Sequence, residues 1–482
     1  MNDPLPSLST LPLSKTHTLL STARITSHQL TKTYLTRIDE VNRTYNAVIE
    51  TNPHALEDAH RADLERKNSP SSFGPLHGIP ILLKDNIVTK AGSGEHDMQA
   101  TSGSFALEGA KPEREAAVVT RLRERGAVVL GKANMAEWCG FRSTSGCSGW
   151  SARGGQAKGI YHKDMKASGS STGSAIATAL GLCCAAIGTE TCYSIVSPAE
   201  KSGIVGFKPT RGLIETDGII FSSHSQDTVG VLTRTVQDAE ELVSLLGSNE
   251  SMLGCESQLL GGPGSPYFGR IRIGIPRYIA EVAFLSGPKR VAFLNALGVL
   301  KRLGAELESV DFEGAEAYDA LSTEEGQIVL DTDMKIALNT YLETLQTNPN
   351  NIRTLDDIIA FTKAHPEEEY PARNVAVLER ANATDPEDQM YKSMLEKDKF
   401  FAGKGGIPGA LEKYNVDVIL VPSLSVMMST FVAKAGSPAL SLPMGMYPAN
   451  TKVKLDPRNG MVDIGPGIPS VFPLCGFLPI VL

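Results

Sequence analysis

No stretch of this chain approaches the ~20 consecutive apolar residues that a membrane-spanning helix needs. The opening MNDPLPSLSTLPLSK has neither the basic start nor the apolar centre of a secretory signal. Long Lys/Arg tracts are missing too, and the formal net charge is −8, so the electrostatic footprint for nucleic acid or an anionic membrane is lacking. The seven cysteines are odd in number and form no CxxC pair, which argues against both a disulfide framework and a zinc ribbon. The nine histidines fall into no HxH or HExxH spacing, leaving a metal site without support. These absences predict a cytoplasmic protein with no nucleic-acid partner, no membrane contact, no metal and no cofactor. The sequon Asn42-Arg43-Thr44 then means nothing, because such an acceptor is used only in a secreted protein.

What is present reads as a folded α/β protein. With 482 residues the chain can bury a sizeable core, and its 45 Gly and 28 Pro announce many tight turns. Thr26 with Gln29 three residues on forms a capping box ahead of Leu30, Tyr34, Ile38 and Val41 at helical spacing. ILLKDNIV follows the breaker cluster NSPSSFGPLHGIP as a strand, with Lys84 at the end of its apolar run. EREAAVVTRLRERGAVVLGKAN predicts a helix, a stop at Gly126 and a strand, and STGSAIATALGLCCAAIGTET repeats that order. This alternation predicts helices packed on a largely parallel sheet. A loop is expected over 242–269 and strands at RIRIGIP, VDVILVPS and GSPALSLPMG. Between them, about ninety residues, among them Thr354 and Asp357 placed as a cap, predict a peripheral helical layer. One domain is favoured because no long polar linker interrupts these elements.

Candidate chemistry is confined to a few places. SGSSTGS at 168–174 lacks the Gly-Lys-Ser/Thr ending of a phosphate loop, since Gly173 is followed by Ser174. The same stretch matches G-x-S-x-G around Ser171, a nucleophile elbow that would need a late histidine, and the last histidine is His365. It also reads simply as a helix N-cap of small residues. A lone lysine closing an apolar run usually snorkels to water, whereas a buried one loses its charge and becomes a base. A serine hydrolase without a usable histidine needs such a substitute.

Together GPLHGIPILLKDNI, SGSSTGSA and GTETCYSIVSPAEKSGIVGFKPTRGLI resemble the amidase signature family, with SQDTVGVLTRTVQDA and SPALSLPMG similar to its later segments. The resemblance implies an α/β fold: a single amidase-signature domain over 15–470, with a mixed central sheet flanked by helices on both faces. It implies a Ser-Ser-Lys triad of Lys84, Ser170 in a cis peptide link, and the nucleophile Ser194, with Ser171 in support. Neutral Lys84 would take a proton from Ser170 as Ser170 takes one from Ser194. Backbone amides from Thr191, Cys192 and Tyr193 to Ser194 would hold the oxyanion, and water would hydrolyse the acyl-enzyme. The implied substrate is a small-molecule linear amide cleaved at a non-peptide C–N bond; its identity and a homodimer are left open. Two rival readings stand beside this one: an ammonia-releasing amidotransferase-like subunit, and a catalytically impaired amidase-like binding protein.

Two departures from the family pattern bear on activity. Cys192-Tyr193 stands where the family carries Asp-Gly or Gly-Gly, and a glycine there permits φ above zero and close substrate approach. The end of the chain, SVFPLCGFLPIVL, replaces a strand and a final helix, so residues 471–482 are expected to form an atypical apolar tail that leaves a sheet edge uncovered. Both set an expectation of reduced turnover.

Overall fold

The computed structural model describes residues 6–69, 73–89, 98–144, 148–248, 271–277, 287–423 and 425–475. Its centre is one eleven-stranded sheet. In chain order the strands are β1 (Val48–Thr51), β2 (Pro80–Lys84), β3 (Val128–Ala133), β4 (Ala185–Glu190), β5 (Val205–Lys208), β6 (Thr228–Thr233), β7 (Arg272–Pro276), β8 (Glu306–Val310), β9 (Val418–Leu420), β10 (Ala439–Met446) and β11 (Pro469–Cys475). Across the sheet they run β1-β3-β2-β4-β6-β5-β10-β11-β9-β7-β8. The expected strands are all present. The sheet is mixed rather than largely parallel: β3-β2-β4 and β9-β7-β8 are parallel blocks, and the strands between them pair antiparallel. Alternation of helix and strand does not by itself fix direction: β5 and β10 each follow a helix and still pair antiparallel.

Local signals explain where helices begin. Thr26 and Gln29 close a capping box on Ser27–Tyr45, and Thr354 and Asp357 close another on Leu355–Ala364. Asn42 does structural work: its side chain accepts from Ala47 N and Val48 N and donates to Val48 O, turning that first helix into β1. The helix Ala117–Glu124 ends just before Gly126, which sits at φ +79°. The expected loop from 242 begins with the end of the helix Val236–Leu246, and its residues from 249 onward lie outside the described residues. Among the described residues no helix is long and apolar enough to cross a membrane.

Three apolar clusters hold the layers together. The largest, with Leu82, Val129, Ile187, Val231 and Leu242 all buried, joins the N-terminal half of the sheet to its helices. The expected polar segment does fold as helices, and Met334, Leu338, Ile358 and Leu378 bury against Val88 and Trp138. In the third cluster Phe312, Phe401 and Phe431 pack ring against ring.

The C-terminal segment corrects an expectation. Pro469–Cys475 is an interior strand between β10 and β9, so residues 471–475 belong to the sheet and leave no edge open there. An apolar run reads as a tail when its partners are distant in sequence, and β11 pairs with residues from Ile419 to Met446. Residues 476–482 lie outside the described residues.

The helix Val196–Ser202 crosses the sheet where β5 has Gly206. A Cβ at that position would stand 2.5 Å from Ala199 Cβ and 3.0 Å from Ile195 O. Gly206→Ala should therefore cost about 1–3 kcal/mol by overpacking. A urea midpoint lowered without change in slope would show it, and an unchanged midpoint would contradict the close approach.

Candidate active site

Lys84 ends β2 with its side chain fully buried. Its parallel neighbour β4 is in register at Leu83 and Ile187, which places Thr189 just beyond the lysine. Lys84 Nζ contacts Thr189 Oγ1 at 2.7 Å, Thr189 O at 3.0 Å and Ser170 Oγ at 2.7 Å. Burial pulls the ammonium down from the ordinary lysine range, against the opposing influence of Cys139, Asp227 and Glu190. A neutral amine has two N–H groups and one lone pair. Thr189 O can only accept, and Thr189 Oγ1 has Asn86 Oδ1 as the acceptor for its own proton at 3.3 Å. In the neutral form both amine hydrogens would go to Thr189, and the lone pair would face the Ser170 hydroxyl.

Ser170 is 2% exposed and follows a cis Gly169–Ser170 peptide. Ser171 opens the helix Thr172–Leu180 but does not cap it with its side chain. Instead Ser171 Oγ donates to Thr189 O at 3.0 Å and accepts from Thr189 N at 3.3 Å. Gly188 makes this possible, because a Cβ there would meet Ser171 Oγ at 2.8 Å. The elbow reading loses its partner: Ser171 is committed to backbone, while His365 stacks on Phe105 and Phe361 with centroids 5.2 and 4.9 Å away.

Ser194 lies in the turn between β4 and the helix Val196–Ser202, 6% exposed. Its carbonyl accepts from Ser171 N at 2.9 Å, which ties this turn to the loop carrying Ser170. The Ser194 hydroxyl makes no hydrogen bond to a protein group among the described residues. The link to Ser170 in this state therefore runs through backbone. Thr191 is buried, and Cys192 Sγ points to Gln226 Oε1 at 3.8 Å. Burial pushes the Cys192 thiol up to about 12, so it stays protonated and a poor nucleophile at neutral pH. Tyr193 sits at φ +49° with 42% of its surface exposed. The backbone conformation that glycine would favour at this position is therefore adopted by a tyrosine whose ring stands at the mouth of the turn.

The lysine and the three serines thus converge on one end of β2 and β4. Thr189 and Asn86 complete the cluster and escaped sequence reasoning. Thr189 and Glu190 close an otherwise apolar buried strand just as Lys84 does, and the same signal could have found them.

Comparisons with known proteins identify the family and the fold. The Amidase family model matches residues 29–454. A putative amidase of Arthroderma benhamiae is 38% identical over 463 residues, 91% of this chain and 74% of that protein. Native peptide amidase from Stenotrophomonas maltophilia, a solved structure, has TM-score 0.81 and 34% identity, covering 98% of this chain and 94% of that one. A glutamyl-tRNA(Gln) amidotransferase subunit from Symbiobacterium thermophilum is 32% identical over 312 residues, 64% of this chain and 61% of that protein.

The lysine geometry makes a direct prediction. If the Lys84 amine works in its neutral form, turnover rises as pH increases through its lowered pKa, and the rise begins below the range of an ordinary lysine. Lys84→Ala should abolish turnover with the fold intact. A pH–rate profile beside circular dichroism of the variant checks both, and near-parental turnover in Lys84→Ala would refute the role.

Proposed function

Because the chain belongs to the amidase family, whose members hydrolyse amide C–N bonds, we propose that it cleaves a linear, non-peptide carboxylic amide through an acyl-enzyme on Ser194. The observation that carries the mechanism is the buried Lys84 amine 2.7 Å from Ser170 Oγ, with Thr189 occupying its other two contacts. Ser170 passes the Ser194 proton to Lys84 as Ser194 attacks the carbonyl, and returns it to the departing amine. Backbone amides of Thr191, Cys192, Tyr193 and Ser194 receive the oxyanion, each donor of that kind accounting for about 10²–10³ in rate. Ser171 holds Thr189 in place and so orients the lysine. Water then repeats the relay and releases the carboxylate. No step calls on a metal or a cofactor.

The likeness to a glutamyl-tRNA(Gln) amidotransferase component supports a second reading, in which ammonia released from a glutamine amide passes to a partner protein. Purification with or without such partners separates the two. The first is favoured, because a putative amidase and a solved peptide amidase each match nine-tenths or more of this chain, whereas the amidotransferase component matches 64% of it.

Labelling decides the nucleophile. A fluorophosphonate should attach to Ser194 in the unsubstituted protein, Ser194→Ala should take up none, and Ser171→Ala should be only slowed. Mass spectrometry locates the adduct; an adduct on Ser171 would return the chain to the elbow reading, and none at all to a binding protein.

Tyr193 limits the rate in this reading. A β-carbon at positive φ costs roughly 1–2 kcal/mol, and the exposed ring narrows the approach to Ser194. Cys192→Asp with Tyr193→Gly should raise kcat/KM on simple aliphatic or aryl amides by about tenfold or more, a decade for each ~1.4 kcal/mol recovered. A double variant no faster than its parent would make the tyrosine a tolerated specificity element.

A further inference from the structure

Two charged side chains that the relay does not use are sealed beneath the nucleophile turn. Glu190 ends β4 at 2% exposure and Lys208 ends β5 at 1%. Glu190 Oε2 accepts from Ile195 N at 2.7 Å and from Val196 N at 3.0 Å. Its own backbone is held in register with Thr228 of β6. The chain from 191 to 194 is thus gripped at both ends by one residue. Lys208 stands opposite Ala439, whose other neighbour is Cys475. Gly206, two residues earlier on β5, presses on Ala199, so this face of the sheet meets the helix Val196–Ser202. Lys208 Nζ makes no hydrogen bond to another protein group among the described residues.

Burial pushes the Glu190 carboxyl up, and the nearby Lys208 pulls it back; burial pulls Lys208 down to about 8, and Glu190 opposes that. The other titratable groups facing Glu190 are Lys84 on β2, Cys475 on β11, and Cys192 and Tyr193 in the turn. Lys208 is the first cationic influence on this carboxylate. A buried carboxylate without a cation gives up its charge by taking a proton.

We propose that Glu190 is a buried clamp that aims the backbone of residues 191–194 at the developing oxyanion, which makes it a positioning residue for amide hydrolysis. The reason lies in the turn itself. Tyr193 at φ +49° is in a region that L-residues with a bulky side chain avoid. Left to itself, such a turn relaxes and swings its amides away from the substrate. The Glu190 carboxylate opposes that relaxation by binding the two amides immediately after Ser194. A carboxylate acceptor makes stronger bonds than a neutral amide in its place. The inference rests on the reading of Ser194 as nucleophile.

The test uses the full chain. Glu190→Gln retains an acceptor oxygen and discards the charge; kcat should fall about 10²-fold, the scale of one lost oxyanion donor, with KM little changed. A parental kcat in Glu190→Gln or a loss confined to KM would overturn the clamp. Fluorophosphonate labelling of the unsubstituted protein separates the two levels. Label on Ser194 with an unaffected Glu190→Gln defeats the clamp alone, and no label on Ser194 defeats the nucleophile and the clamp with it.

Discussion

An amine without water, held between three oxygens at 2.7–3.0 Å, is the constraint on which the site depends. Desolvation lowers the cost of losing the ammonium proton, and the Thr189 contacts occupy two of the three directions at which Nζ is held. Each requirement is met by the sheet. The parallel pairing of β2 with β4 sets Lys84 beside Thr189, and Gly188 lets the serine loop lie against the strand. Replacing either condition would let water in or move Ser170 away, and the lysine pKa would rise back toward its ordinary range.

The peripheral helices are bound to this centre by a second buried charge. Arg142 is wholly buried and bonds Glu137 Oε1 at 2.7 Å, Glu368 O at 2.8 Å and the carbonyls of Arg373 and Asn374. Glu368 in turn accepts from Ser104 Oγ and Phe105 N. The guanidinium therefore ties the helical layer to the segment 137–142, whose Cys139 touches Asn86 beside Thr189. Removing one partner of such a pair typically costs about 3–5 kcal/mol, because the charge left behind is unsatisfied. The outer layer is thus mechanically part of the site, although it supplies no group to the relay.

Much of the centre was legible because its signals are local. Apolar runs of strand length, capping boxes at Thr26 and Thr354, and a lysine and serines at element ends are all read within a few residues. The eleventh strand was misread because β10 and β9 lie far from it in the chain, and an apolar run carries no mark of whether it has partners. Asn86 gave no signal either: its contacts to Thr189 and Ile220 span more than a hundred residues.

The sequence by itself determined the α/β class, the family, and the residue types available for chemistry, because periodicity, turn chemistry and the order of short motifs are properties of neighbouring residues. Only the tertiary structure decided that Lys84 loses its water, that Ser171 bonds a strand rather than capping a helix, and that Tyr193 is forced into a left-handed turn. The cause is the same in each case. Desolvation and hydrogen-bond choice are set by what the far chain places against a residue, and the pairing of β2 with β4 brings together positions a hundred residues apart.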